Sequence, residues 1–447
     1  MPYTPHTAAD IAAMLARIGV ADVDDLFRSI PAEVRLRRPL DLPPGQSEEE
    51  VRRRLKGLAA RNRSQEDLVS FLGGGVYDAV IPAAIAALAG RSEFLTAYTP
   101  YQAEVSQGTL QVIYEWQTFV TRLTGLAVAN ASMYDGATAL AEAIRMGAAA
   151  RKRPRVVLPA ALNPRYRRVV ATTLAGEGIA IVDAPAAPDG TTDPAALRAA
   201  AAGAGAVVVQ NPNYLGLIEP VDALAEAARS AGAALVACVN PVSLSLLKAP
   251  GEYGADVAVG EAQPLGMPCS FGGPLLGFLA CRDELKRLLP GRVVGRTADG
   301  EGRPGYVLTL QTREQHIRRE KATSNICSNE ALCALSALVY MCLLGKGGLQ
   351  QVARVCAEKA AYTRKRLSQI PGVNIKYPAP TFNEFAVELP RDAGTVIGDL
   401  IEKGFAAGFP LGRYYEGMER SMLVAVTEKR TKEEIGRLAE ALEEVLS

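Results

Sequence analysis

The chain has 447 residues, 49% of them hydrophobic and 22% charged. That composition excludes a fibrous or disordered protein and leaves room for two or three domains around a sizeable core. Forty-nine Lys and Arg against 48 Asp and Glu give a net charge of +1, without the basic surplus of a nucleic-acid binder.

Residues 1–62 read as a charged helical arm. Ile11, Leu15 and Ile18 recur at helical spacing, and Gly19 stands where a helix stops. A connector from Pro39 to Pro44 follows. Ser47 and Glu50 then form the capping-box pattern of a second helix. The zone is too small and polar to hold much of a core, so it is expected to wrap other protein surface.

Residues 63–327 read as a large α/β domain. Apolar runs at 156–158, 179–182, 206–209, 235–238, 257–259 and 277–280 alternate with helical segments at 163–176, 193–203 and 221–232. Unbroken β-branched runs between helices predict a mostly parallel sheet covered on both faces. The last two runs leave no room for a helix between them, which predicts an antiparallel edge.

Residues 328–447 read as a small α+β domain. An apolar helix is predicted from Ser328 through Leu344 and a long one near 348–368. Strands are predicted at 373–376, 384–389 and 421–426. Thr431 and Glu434 cap a final helix whose Ile435, Leu438, Leu442 and Val445 form one stripe.

Two histidines, His6 and His316, exclude a His-rich metal site. The seven cysteines, 238, 269, 281, 327, 333, 342 and 356, contain no CxxC pair and predict buried reduced thiols. Met1-Pro2-Tyr3-Thr4-Pro5 lacks a basic region followed by an apolar run. Apolar stretches such as Ala79–Gly90 fall short of the ~18 residues of a membrane span. A cytoplasmic protein is expected.

A helical arm, a large α/β domain and a small α+β domain are the layout of many pyridoxal-phosphate enzymes of the aspartate-aminotransferase type. Such an enzyme needs a helix N-terminus for the phosphate, an Asp for the pyridinium nitrogen and a Schiff-base Lys. Met133–Thr138 precedes a helical run and could serve the first need, but an ordinary helix capped by Asp135 is the stronger reading. Gln210-Asn211-Pro212-Asn213 ends a strand, as a ligand loop or a plain turn. The Asp is missing, since no carboxylate lies between Ala231 and Pro250. The Lys is missing too, since Gly260–Pro268 contains none. Lys248, in a turn, and Lys286 are the nearest lysines.

Several longer segments carry a resemblance. They are Phe71–Asp78, Ala97–Gly108 with its Thr99-Pro100-Tyr101-Gln102 turn, Gln311–Arg319 and Lys321–Cys327. With Ile18-Gly19-Val20 and Asp25-Leu26-Phe27 of the arm, they resemble the N-terminal (α) subunit of the two-subunit glycine decarboxylase, the P-protein of the glycine cleavage system. The resemblance spans nearly the whole chain. It implies a pyridoxal-phosphate fold of type I whose Schiff-base lysine belongs to a homologous β subunit, in an α2β2 assembly. It implies that the partner's pyridoxal phosphate decarboxylates glycine and that the aminomethyl group passes to the lipoyl arm of H-protein. It further implies that Thr323, Ser324 and Asn325 meet the partner's cofactor phosphate, with Arg318, Arg319 and Lys321 adding charge nearby. Tyr98, Tyr101 and Gln102 become candidates to line the shared site, with Glu104 and Gln107 weaker versions of the same idea. Phe71–Tyr77 is a close-approach turn or a binding loop. Two other readings stand beside this one. One is a self-sufficient aminotransferase-like enzyme using Lys248, the other a catalytically inert scaffold.

Overall fold

Strands built from small and β-branched residues form the centre of the protein. They are β1 Val128–Ala129, β2 Arg155–Pro159, β3 Ala180–Ala184, β4 Ala206–Asn211, β5 Ala234–Val239, β6 Val257–Glu261 and β7 Gly277–Cys281. The structure, a computed structural model, describes residues 5–326 and 328–447. Cys327 and Met1–Thr4, both read above, lie outside the described residues. The sheet runs β1-β7-β6-β5-β4-β2-β3. Strands β2 to β6 pair in parallel, and β7 pairs antiparallel with β6 and with β1. The direct β6-to-β7 passage produces the antiparallel edge, as the missing helix between them predicted.

Side chains alternate across each strand. Val157, Val207, Leu235 and Ala258 face a core shared with Trp116, Leu224 and Met341. Val156, Val208, Val236 and Val257 face a second core with Leu140, Ile144 and Val170. The sheet is thus covered on both sides, which explains why its strands read as unbroken apolar runs.

The C-terminal portion folds β8 Asn374–Ile375, β9 Glu384–Glu388, β10 Phe409–Pro410 and β11 Ser421–Ala425 into an antiparallel sheet ordered β8-β9-β11-β10. Helices Ala393–Glu402 and Lys432–Leu446 pack on it. Thr431 caps the last helix, its side chain accepting from Glu434 N. Ile435, Leu438 and Leu442 are buried, each stabilising by about 1.5–3 kcal/mol. Val445 is half-buried. Val69–Ser70 pairs in parallel with Phe405–Ala406.

Two details differ from the sequence reading. The apolar helix starts at Ala331, not Ser328, and continues to Leu367 through a break at Gly345 (φ 58°, ψ −173°). By length and apolar composition it passes for a membrane span, which the sequence reading did not notice. Its apolar character is accounted for by Ala334, Ala337, Tyr340 and Met341, which pack in the first core. Cys342 is exposed rather than buried, because it sits on this helix's outer face.

The chain divides into two compact units, Met1–Asn62 and Arg63–Ser447. The first holds helices Ala8–Ile18 and Glu48–Ala59, with Gly19 ending the former in a left-handed conformation and Ser47 with Glu50 capping the latter. No residue of 5–62 is buried. Val34, Leu36, Leu40 and Leu42 are all more than half exposed.

Candidate functional site

A narrow cleft opens where the parallel strands end, the usual ligand position in such sheets. Gln210, Cys238 to Asn240 and Glu261 reach it from the ends of β4, β5 and β6. Gly74, Gly75 and Tyr77 enter from the glycine-rich loop, Asn163 and Tyr166 from the start of helix Pro164–Thr173, and Asn383 with Glu384 from β9. The loop therefore serves as both a close-approach turn and a wall. A Cβ at Gly73 would collide with the Glu384 carboxylate and Ala425. Gly74 and Gly75 have φ of 75° and 112°, left-handed conformations that favour glycine.

Glu261 is central. Its carboxylate accepts amide hydrogens from Gly136 at 3.0 Å, Gln263 at 2.9 Å and Leu276 at 2.9 Å. Gly136 is the first residue of the buried helix Gly136–Arg151, capped by Asp135, whose Oδ1 accepts from Thr138 N at 2.7 Å. Burial pushes the Glu261 carboxyl up to about 7, against the lowering effect of those three amides. Glu384 accepts from Gly74 N at 2.6 Å and from the Tyr77 hydroxyl at 2.7 Å. Burial pushes it up to about 7 as well.

The residues do not fit a pyridoxal phosphate. The helix N-terminus that would cradle phosphate already holds the Glu261 carboxylate, and Asp135 adds negative charge beside it. No lysine lines the cleft, and Cys238 and Asn240 stand where a pyridinium partner would be needed. The free space, about 40 Å³, admits a few waters at most. Lys248 is elsewhere, paired with Asp222 at 2.6 Å on the surface. The self-sufficient reading therefore loses its lysine.

Of the strand-end loop, Gln210 faces the cleft and accepts from Asn163 N at 2.7 Å. Asn211 and Asn213 are turn-builders. Asn213 accepts from Leu215 N and Leu217 N and donates to Glu219, while Asn211 accepts from Glu219 N.

The other candidates lie outside this cleft. Tyr98 is 86% exposed, and Gln102 and Glu104 are exposed as well. Tyr101 is anchored, its hydroxyl accepting from Arg292 Nη2 at 3.2 Å and its ring edge-on to His316 at 6.0 Å. Gln107 is a brace. It exchanges hydrogen bonds with Tyr306 at 2.9 Å in both directions and donates to Ala103 O. Thr323 and Ser324 are half-buried and Asn325 exposed, in an irregular segment. Ser324 Oγ accepts from Ile326 N at 3.1 Å. The helix that follows begins eight residues after Thr323 and is preceded by Glu330, so Thr323 is not its cap. Arg318, Arg319 and Lys321 are exposed. Tyr214 and Glu384 were not singled out from sequence as cleft residues, and Tyr77 only as the end of the glycine-rich loop. A buried-looking Glu inside the apolar run 384–389 was the available signal.

The family model for the glycine cleavage system P-protein matches residues 1–442. A relative from Geotalea daltonii, called probable glycine dehydrogenase (decarboxylating) subunit 1, is 51% identical over 444 residues, 99% of either chain. A crystal structure of glycine decarboxylase (P-protein) of the glycine cleavage system in inhibitor-bound form superposes with a TM-score of 0.91 at 46% identity over 100% of both chains. The sphingosine-1-phosphate lyase of Burkholderia pseudomallei, 16% identical, superposes at 0.65 over 93% of this chain and 94% of its own, a likeness of fold alone. The fold is the α/β fold of the aspartate-aminotransferase-like pyridoxal-phosphate transferases. Matched along nearly its whole length, the chain belongs to the glycine cleavage system P-protein family.

Proposed function

We propose that this chain is the lysine-free subunit of a two-subunit glycine dehydrogenase (decarboxylating). The observation that carries the reading is the Glu261 carboxylate on the Gly136 amide, which leaves this chain's own phosphate cradle filled. The relatives' name, subunit 1, supports a second subunit. That partner holds the pyridoxal phosphate on its lysine, in an α2β2 assembly, and the cofactor supplies the electron sink for loss of CO2 from glycine. The aminomethyl group is passed to the lipoyl arm of H-protein.

This chain's part is to complete the partner's site. Thr323, Ser324 and Asn325 offer hydroxyl and amide donors to the cofactor phosphate. Tyr98, Tyr101 and Gln102 present a polar and aromatic wall to glycine or the lipoyl arm, with Arg292 fixing the Tyr101 ring. The arm, which buries no residue of its own, clasps the partner. The six described cysteines are all free, which supports a reducing, cytoplasmic setting.

The test is CO2 release from glycine in the presence of lipoylated H-protein. The chain alone is inactive, the partner alone is weak, and the complex is fully active. Activity of the chain alone would overturn the reading. A partner as active alone as in the complex would favour the inert-scaffold reading instead.

A further inference from the structure

The cleft that cannot hold an anion is built for the opposite charge. Two buried carboxylates, Glu261 and Glu384, face it, and neither has a Lys, Arg or His nitrogen within 4.0 Å among the described residues. Asp135 adds a third negative group at the same helix start. When ionised, each buried carboxylate is compensated by neutral donors alone, three amides for Glu261 and the Gly74 amide with the Tyr77 hydroxyl for Glu384. The lining offers no cation to offset either charge, since Asn163, Gln210, Asn240 and Asn383 are neutral amides.

The walls are aromatic. Tyr77, Tyr166 and Tyr214 line the cleft, and a Cβ on Gly74 would lie 3.2 Å from the Tyr214 ring. Tyrosines beside carboxylates suit an ammonium group, which their hydroxyl oxygens can accept from. The Tyr214 hydroxyl supplies an independent observation. The residue is 2% exposed, and this oxygen has no hydrogen-bond partner. Buried hydroxyls are ordinarily bonded, so an oxygen left free at a cleft marks a place for a ligand's N–H. No group of three or more His, Cys, Asp or Glu among the described residues suits a metal ion. The narrow cleft favours a small ligand, of which methylammonium is the simplest with a primary ammonium group.

The geometry points to a small primary ammonium ion bound in this chain's own cleft, held by Glu261 and Glu384, capped by the Tyr214 hydroxyl and flanked by the rings of Tyr77 and Tyr166. The cleft at the strand ends thus becomes a cation site. This stands on the cleft itself and does not depend on the function proposed for the assembly. Both carboxyls hold protons up to about 7 through burial, so a bound cation re-ionises them and releases protons near neutrality.

The test uses the full chain and methylammonium chloride, with sodium and potassium chloride at equal ionic strength. Titration calorimetry at pH 7 in buffers of different ionisation enthalpy reads binding and proton release together. Saturable heat from methylammonium, with proton release, is expected. Glu384→Gln abolishes it. Tyr214→Phe, which removes an oxygen that bonds to nothing in the protein and so leaves folding intact, weakens it about tenfold, the effect of one hydrogen bond to a charged donor. Absence of saturable heat, an equal effect of potassium, or a Tyr214→Phe variant that binds unchanged would overturn the assignment.

Discussion

The Glu261 carboxylate accepts the Gly136 amide hydrogen at 3.0 Å, joining the end of β6 to the N-terminus of a buried helix 125 residues away. A helix N-terminus carries partial positive charge and unpaired N–H groups. Here Glu261 of the sheet satisfies the Gly136 amide, and the capping Asp135 satisfies Thr138 N. The chain alone should therefore bind no pyridoxal phosphate covalently. Adding the cofactor and treating with borohydride should leave no stoichiometric absorbance band. A reducible one-to-one band would contradict the filled cradle.

Glu384 makes the stability depend on pH in a definite direction. Its carboxyl is raised from 4.5 to about 7 in the folded state. A raised acid binds its proton more tightly when folded, so its contribution to stability is complete below pH 4.5 and is lost as pH rises through about 7. Full ionisation costs roughly 3 kcal/mol. Glu384→Gln should lessen the fall of urea-unfolding stability between those two pH values, leaving the share due to Glu261, and exceed the parent at pH above neutrality. Parallel pH profiles for the two proteins would refute this.

Thr323→Val keeps the shape of the side chain and removes its hydroxyl. On the role proposed for that hydroxyl at the partner's cofactor phosphate, the complex should retain pyridoxal phosphate about ten- to hundredfold less tightly, the range for one charge-assisted hydrogen bond. Titrating the apo-complex with cofactor measures it. An unchanged dissociation constant would leave Thr323 a surface threonine.

Gly216 has a φ of 84°, and a Cβ there would strike the carbonyl oxygen of Glu384. Backbone cannot step aside as a flexible side chain does. Gly216→Ala should cost at least about 3 kcal/mol, combining overpacking with a left-handed conformation for alanine. Chemical denaturation would show it as a lower midpoint, and a loss under 1 kcal/mol, roughly the cost of a tolerated swap, would speak against the close approach.

The arm should act through association alone. Leu40 and Leu42 are 65% and 71% exposed and touch no core. Leu40→Ser with Leu42→Ser should leave the thermal midpoint of the isolated chain unchanged while weakening co-elution with the partner in gel filtration. A lowered midpoint with unchanged co-elution would place them in the chain's own packing.

The sheet was legible because strands buried on both faces, such as Val207-Val208-Val209, need apolar residues at every position. The caps at Ser47 and Thr431 were legible because each closes on a residue three positions away. The filled cradle was not. Glu261 sits in a stretch where the absence of lysine was plain, but its partner Gly136 is distant in sequence, and no local pattern says which amides a carboxylate will find. Glu384 likewise reaches Gly74 across 310 residues. The start of the long helix at Ala331 was missed as well: Glu330 N donates to the Ser132 hydroxyl at 2.9 Å, a contact across 198 residues that no local pattern announces.

The Glu261–Gly136 bond also bears on reversibility. A lysine restored by mutation within 262–268 would meet a helix start still held by an internal carboxylate, with too little space beside it for a phosphate. Removing Glu261 alone would strand three amide donors, at Gly136, Gln263 and Leu276, that it now satisfies. Each single step back is useless or harmful by itself, and the two are advantageous only together. The division of labour proposed with a lysine-bearing partner is thus held by a ratchet, one hydrogen-bonded carboxylate deep.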